Sequence, residues 1–305
     1  MKRISTSGKV FRYGGVALAL LGLIPQMLHA GELQSIRDEV RDPADRSFSL
    51  SWPKFGDSSS DNCHRSHRDC YDGYDDDPFN DDGDSMAGLY LLGFIAAGCV
   101  ATSPFWGPRA ALGDDGRFGY FPKFPYRNGD DFMLIDDWNQ QPKRYGGRIR
   151  MEYCENFRDL WRMGGQIQFE TTSRFGLDTE FHRFEEILGG EKTDHLWLGD
   201  FNVTYRFAQS EWAAWRAGIG FNWMDDPIRT NYGFNFTYGF DIYPCRPWVF
   251  STEFDLGTLG KSELFRFRST AGIMIHRAEA YVGYEYLNVA NTTFNGLISG
   301  ICIHF

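Results

Sequence analysis

Positive charge is scarce in this 305-residue sequence: 31 lysines and arginines stand against 41 aspartates and glutamates, a formal net charge of −10. So acidic a chain has no electrostatic footprint for a phosphate backbone, which excludes nucleic acid as a partner. Cysteine is sparse too, six in all. None lies near position 30, so a lipid anchor on a processed cysteine is unsupported. Standard metal and catalytic signatures are also missing. The segment CHRSHRDC, with Cys63, His64, His67 and Cys70, has thiol and imidazole ligands but fits no zinc-finger spacing. In YDDDPFNDDGD, aligning Gly83 with the sixth position of a calcium loop puts Pro78 first, so that pattern fails as well.

What is present begins with a leader. Lys2, Arg3, Lys9 and Arg12 precede the apolar run VALALLGLIPQML, and Ala30 follows. This order predicts a secretory signal peptide, residues 1–30, cleaved after Ala30. Pro25 and a core of about a dozen residues argue against a spanning anchor. Cleavage removes four positive charges and no acid, taking the net charge from −10 to −14. All six cysteines then lie in the exported part, where disulfides are permitted and Cys63 to Cys70 is a possible local pair.

Residues 31–85 are irregular and rich in aspartate, with ten between positions 57 and 84; this predicts an acidic, partly disordered periplasmic segment. Residues 86–144 form a second unit. Its stretch 87–106 is uncharged for twenty residues, long enough to nominate a membrane helix. Gly88, Gly93, Gly98 and Pro104 weaken that reading. The expectation is an apolar helix docked at, or partly inside, the periplasmic end of a third unit, residues 145–305. An aromatic, proline-bearing strap joins the two.

The third unit alternates with period two. In WLGDFNVTYRF, Trp197, Phe201, Val203, Tyr205 and Phe207 share one register, and Asp200, Asn202, Thr204 and Arg206 the other. Ten such runs are countable, with a range of eight to twelve, and most exceed the usual globular strand of about five or six residues. A tilted strand crossing a bilayer needs about nine to eleven. Connections after the even runs read as tight turns, and most of those after the odd runs as longer loops, such as EILGGEKTD and MDDPIRT. This predicts an all-β fold, an antiparallel transmembrane β-barrel of about ten strands. Alternation alone does not say which face points out. Most strand glycines fall in the polar register beside bulky arginines, which suits a crowded interior, while Trp161, Trp197, Trp215, Trp223 and Trp248 near run ends suit an interfacial girdle.

The closing run ISGICIHF, with Leu297, Ile301, Ile303 and Phe305 in one register, resembles the terminal strand of bacterial outer-membrane β-barrel proteins. The resemblance covers about residues 145–305 and is to the class as a whole. It implies export across a Gram-negative-type periplasm, location in the outer membrane with the N-terminal region periplasmic, outer-membrane lipid as surroundings, and the barrel-assembly machinery as the partner reading those four residues.

The inward register would then hold Arg148, Arg150, Glu152, Arg162, Glu170, Asp178, Glu180, Asp200, Arg206, Arg216, Asp241, Glu253, Asp255, Arg266, Arg268, Glu279 and Glu285. Such charges, withdrawn from bulk water, must be paired and hydrogen-bonded. A lumen filled by a charged network implies a structural or interaction role. The alternative is a narrow, porin-like channel or transporter for small solutes; a rim-site hydrolase or a soluble ligand-binding barrel comes next. For the hydrolase, Asp194, His195, Asp225 and Asp226 lie beside adjoining loops. They match no protease motif, so no catalytic residue, no metal and no cofactor is assigned. Cys99, Cys154, Cys245 and Cys302 have no evident partners.

Overall fold

The computed structural model describes residues 31–41, 102–127, 129, 132–135, 142–155, 160–188 and 192–305. The expected leader, Cys63, Cys70, Cys99 and most of 87–106 lie outside the described residues. Ten antiparallel strands form one closed barrel: β1 (Tyr145–Glu155), β2 (Leu160–Thr171), β3 (Phe175–Leu188), β4 (Lys192–Gln209), β5 (Ala213–Asp225), β6 (Thr230–Ile242), β7 (Trp248–Leu259), β8 (Ser262–Ile275), β9 (Ala278–Val289) and β10 (Thr292–His304). Each strand pairs with its sequence neighbours, and β10 closes on β1 with Arg148 opposite His304 and Met151 opposite Ile301.

In a closed barrel each register has one destination. Along β1, Arg148, Arg150 and Glu152 are buried, whereas Ile149, Met151 and Tyr153 are exposed. The polar register therefore lines the lumen and the apolar one forms the outer wall, the reverse of a soluble barrel. Outer-wall rings pair near both barrel ends: Tyr153 with Trp161 at one, Tyr145 with Phe169 and Trp215 with Phe240 at the other.

The connections correct one expectation. At the end where β1 begins and β10 finishes, here the terminal end, they run from two to five residues; at the far end, from two to four. There is no asymmetry. Most of EILGGEKTD is absorbed into the β3–β4 hairpin, which stays paired out to Leu188 and Lys192, and MDDPIRT contracts to residues 226–229. Polar side chains on a projecting hairpin read as loop in a sequence.

The described residues that precede the barrel lie at its two ends and on its outer wall. Helix α1 (Glu32–Arg41) sits in the far-end mouth, with Leu33, Ile36 and Val40 buried on one face at helical spacing. It falls inside the segment read as acidic and irregular. Its C-terminus touches the β7–β8 turn, where Lys261 N–H donates to Val40 O at 3.2 Å. Gly260 there has φ +59°, and a Cβ on it would lie 2.6 Å from Val40 O, so only glycine fits. At the terminal end Tyr120 bridges Leu134, and Phe132 N–H donates to Glu211 O at 2.8 Å. Of the 87–106 stretch only 102–106 are described. They open a helix over 102–112 that lies against the outer wall, Phe105 ringed by Phe207 at 5.3 Å and Tyr238 at 6.0 Å. Among the described residues no helix is long and apolar enough to cross a membrane.

Candidate functional site

The lumen is layered. At the far end the inward positions are apolar: Leu160, Phe184, Leu196, Met224, Leu287 and Phe294 join the buried face of α1 in one cluster. At the terminal end Phe121 and Met133 from the strap meet Ala214, and Tyr126 meets Tyr243, Val249 and Met274. Between these two apolar layers lies the charged one. Burial in such a place requires pairing, because an uncompensated charge there costs several kcal/mol.

All seventeen residues expected in the lumen face it, and all but the half-buried Glu170 are buried. Arg268 donates to Glu180 at 2.5 Å, to Glu253 at 2.9 Å and to Gln166 at 3.1 Å. Arg162 joins Glu152 at 2.5 Å and Glu285 at 2.7 Å. Arg148 binds Asp241 at 2.9 Å, and Arg216 binds Asp241 and, at 3.1 Å, Glu253. Arg266 pairs with Glu180 and lies 3.1 Å from Asp255, and Arg206 pairs with Glu170. The set has seven arginines and ten carboxylates. The surplus acids take other partners: Asp178 accepts from Gln166 and Asp200 from Asn202, each at 3.0 Å. Arg150 has no carboxylate partner among the described residues and lies over the Tyr281 ring at 5.0 Å.

The set of lumen residues expected from sequence omits several titratable groups, among them His182, Cys302 and His304. His182 sits 2.9 Å from Glu180. Cys302 and His304 alternate on β10 with the outward Ile301 and Ile303, so their inward direction follows from the same period-two count. His304 Nε2 lies 3.0 Å from Glu279 Oε2 and 3.5 Å from Cys302 Sγ. Cys154, Cys245 and Cys302 are free thiols.

Of the rim carboxylates considered for hydrolysis, Asp194 and Asp226 hold α1, whereas the exposed Asp225 accepts from Thr230 Oγ1 at 2.6 Å. Arg37 binds Asp194, with one guanidinium nitrogen at 2.7 Å, and also approaches Asp226, which pairs with Arg41. The hydrogen bond to Asp194 raises the Arg37 pKa. Burial pushes the Asp226 carboxyl up, but the N–H groups of Ile228 and Arg229 and the Arg41 guanidinium hold it below the usual range. At the helix's other end, Glu186 accepts from the amides of Gly31, Glu32 and Leu33 at 2.6, 3.0 and 3.1 Å, capping α1 with a carboxylate from β3. His195 is exposed on the outer side, its backbone N–H donating to Asp194 Oδ1 at 2.8 Å; with Asp194 and Asp226 bound to arginines of α1 and Asp225 to Thr230, these acids are committed to structural partners. At the terminal end Asp114 receives both guanidinium nitrogens of Arg174 at 2.7 Å and fixes the strap. Leu297, Ile301, Ile303 and Phe305 all stand on the outer face.

Two small cavities among the described residues reach the lumen. A cavity of about 50 Å³ lies under the strap beside Arg148, Tyr243 and His304, and one of about 10 Å³ lies between His182, Asp200 and Arg266. Comparison with family models and with curated proteins finds no match to this chain.

Proposed function

We propose that the chain is an outer-membrane β-barrel acting as a sealed scaffold, whose ion-paired lumen holds the wall rigid and carries no solute. The carrying observation is the charged layer enclosed between two apolar layers, with α1 in one mouth and the strap across the other. The exposed apolar wall supports lipid as its surroundings: Met151 is 69% exposed, Ile219 60% and Val282 64%, a surface whose exposure to water would be costly. The basic-then-apolar leader and the register of Leu297, Ile301, Ile303 and Phe305 support export and assembly into an outer membrane.

Fractionation tests the location: the protein should enter the outer-membrane fraction, need detergent for extraction, and migrate faster before boiling than after. Planar bilayers test the role. A sealed scaffold gives no conductance, and reproducible single-channel steps would favour the channel reading, which requires the charged layer to part and at least one apolar layer to move.

A further inference from the structure

The seam where β9, β10 and β1 meet carries three metal-ligating side chains of different chemistry at one point. Cys302 stands opposite Glu279 in the β9–β10 register, and His304 lies two residues on, so all three point into the lumen near the terminal end. We propose that Glu279, Cys302 and His304 form a binding site for a divalent transition-metal ion of the zinc type. Thiolate, imidazole and carboxylate together suit a borderline-soft dication better than a hard one such as calcium or magnesium.

The geometry is that of ligands around a common centre. One atom, His304 Nε2, faces both the sulfur at 3.5 Å and the carboxylate oxygen at 3.0 Å, and the three ligand atoms lie within 4.8 Å of one another. A catalytic relay would use the two different ring nitrogens for its two partners; convergence on one nitrogen does not. Tetrahedral zinc, with bonds of about 2.3 Å to sulfur and about 2.0–2.2 Å to nitrogen and oxygen, sets neighbouring ligands about 3.3–3.7 Å apart. Small side-chain shifts therefore place an ion among them.

Two further observations fit. Glu279 is fully buried, yet its Oε1 has no hydrogen-bond partner, an orphan that an ion or its bound water would satisfy. His304 also lines the 50 Å³ cavity under the strap, which gives a fourth ligand position room for water. The nearby cations do not forbid a dication. Arg148 pairs with Asp241, which it shares with Arg216, and Arg150 stacks over Tyr281; binding also releases the Cys302 thiol proton, so the thiolate and Glu279 offset the ion's charge. Lumen geometry alone carries the site, whether or not the barrel resides in a membrane.

The test uses the full chain in detergent micelles, with Cys63, Cys70, Cys99 and Cys245 replaced by serine and His64 and His67 by alanine, so that neither CHRSHRDC nor those other thiols supply ligands. Dialysis against buffered zinc should leave one zinc per chain. Cys302→Ala should lower the affinity by more than the roughly 10–100-fold that losing an outer-shell partner costs. Cobalt(II) in place of zinc should give a thiolate-to-cobalt charge-transfer band, absent in C302A and altered in H304Q. Heat-modifiability of each variant shows whether its barrel has formed. Zinc uptake that survives C302A overturns the proposal, and so does a compact barrel with all three residues intact that takes up no zinc. Should C302A fail to fold, an unaltered cobalt band in compact H304Q is the overturning result.

Discussion

Phe305 and Gly147 exchange two backbone hydrogen bonds, Gly147 N–H to Phe305 O at 3.1 Å and Phe305 N–H to Gly147 O at 2.9 Å, and the phenylalanine ring covers the glycine. A Cβ at Gly147 would lie 2.5 Å from the ring and 3.0 Å from Gln168 O. This contact locks the terminal end of the β1–β10 seam, on which closure of the whole barrel depends. Gly147→Val is expected to push the ring off the wall and cost about 1–3 kcal/mol, as overpacking does. A lower boiling temperature for the compact gel band would register it, and G147A should show a smaller drop.

Removing one partner from the lumen should be far more damaging than trimming the wall. Arg268 neutralises Glu180 and Glu253 and approaches Glu152, so Arg268→Met leaves buried carboxylates without their shared cation. The expected loss is about 3–5 kcal/mol, by the rule for a buried pair broken on one side. Denaturant unfolding in micelles followed by tryptophan fluorescence measures it. If R268M unfolds at the wild-type midpoint, the charged layer does not hold the wall.

Much of this arrangement was legible in the residues, and its failures have physical causes. Strand positions and register followed from period two because the wall is one layer thick and each side chain has only two destinations. Helix α1 was missed although Leu33, Ile36 and Val40 have helical spacing, because so short and highly charged a segment gains its helicity from the barrel mouth and not from propensity. The charged residues mark only part of the inward register, for Leu160, Leu196, Met224 and Leu287 make its far end apolar; they fall toward strand ends, beyond runs such as Asp200 to Arg206 that carry the polar alternation. Asp194 and Asp226 looked like rim acids available for chemistry, and only the position of Arg37 assigns them to the plug.

Acid should loosen α1 before the barrel. The Asp226 carboxyl is held below its ordinary 3.8, and a carboxyl with a lowered folded value contributes stability that is complete above the unfolded pKa and is lost as pH falls through the folded one. Arg37, with its pKa raised, keeps its charge throughout. Amide protection in Glu32–Arg41, taken relative to the intrinsic exchange rate at each pH, should therefore fall as pH drops below about 4, in the range of the unfolded carboxyl pKa, while β-strand protection persists. Asp226→Asn should show fast α1 exchange at neutral pH and a flatter acid response. Equal exchange in both proteins at neutral pH would show that the rim ion pairs do not hold the helix.

The strongest test of the surroundings lies on the wall. Val203, on β4, is 47% exposed on the outer face with Ile219 opposite it across the β4–β5 pair. In water, arginine there would replace an exposed apolar side chain with a solvated charge at little cost, as at most surface sites. In a bilayer the same substitution places a guanidinium in hydrocarbon, at about 2–4 kcal/mol near the midplane of a barrel wall and much less near the interfaces. Val203→Arg should therefore lower folding stability in vesicles by an amount that shrinks when the arginine is moved to Trp197 or Trp248, toward the two ends of the strands. A uniform, near-zero cost at all three positions would mean that the apolar face is not embedded in lipid.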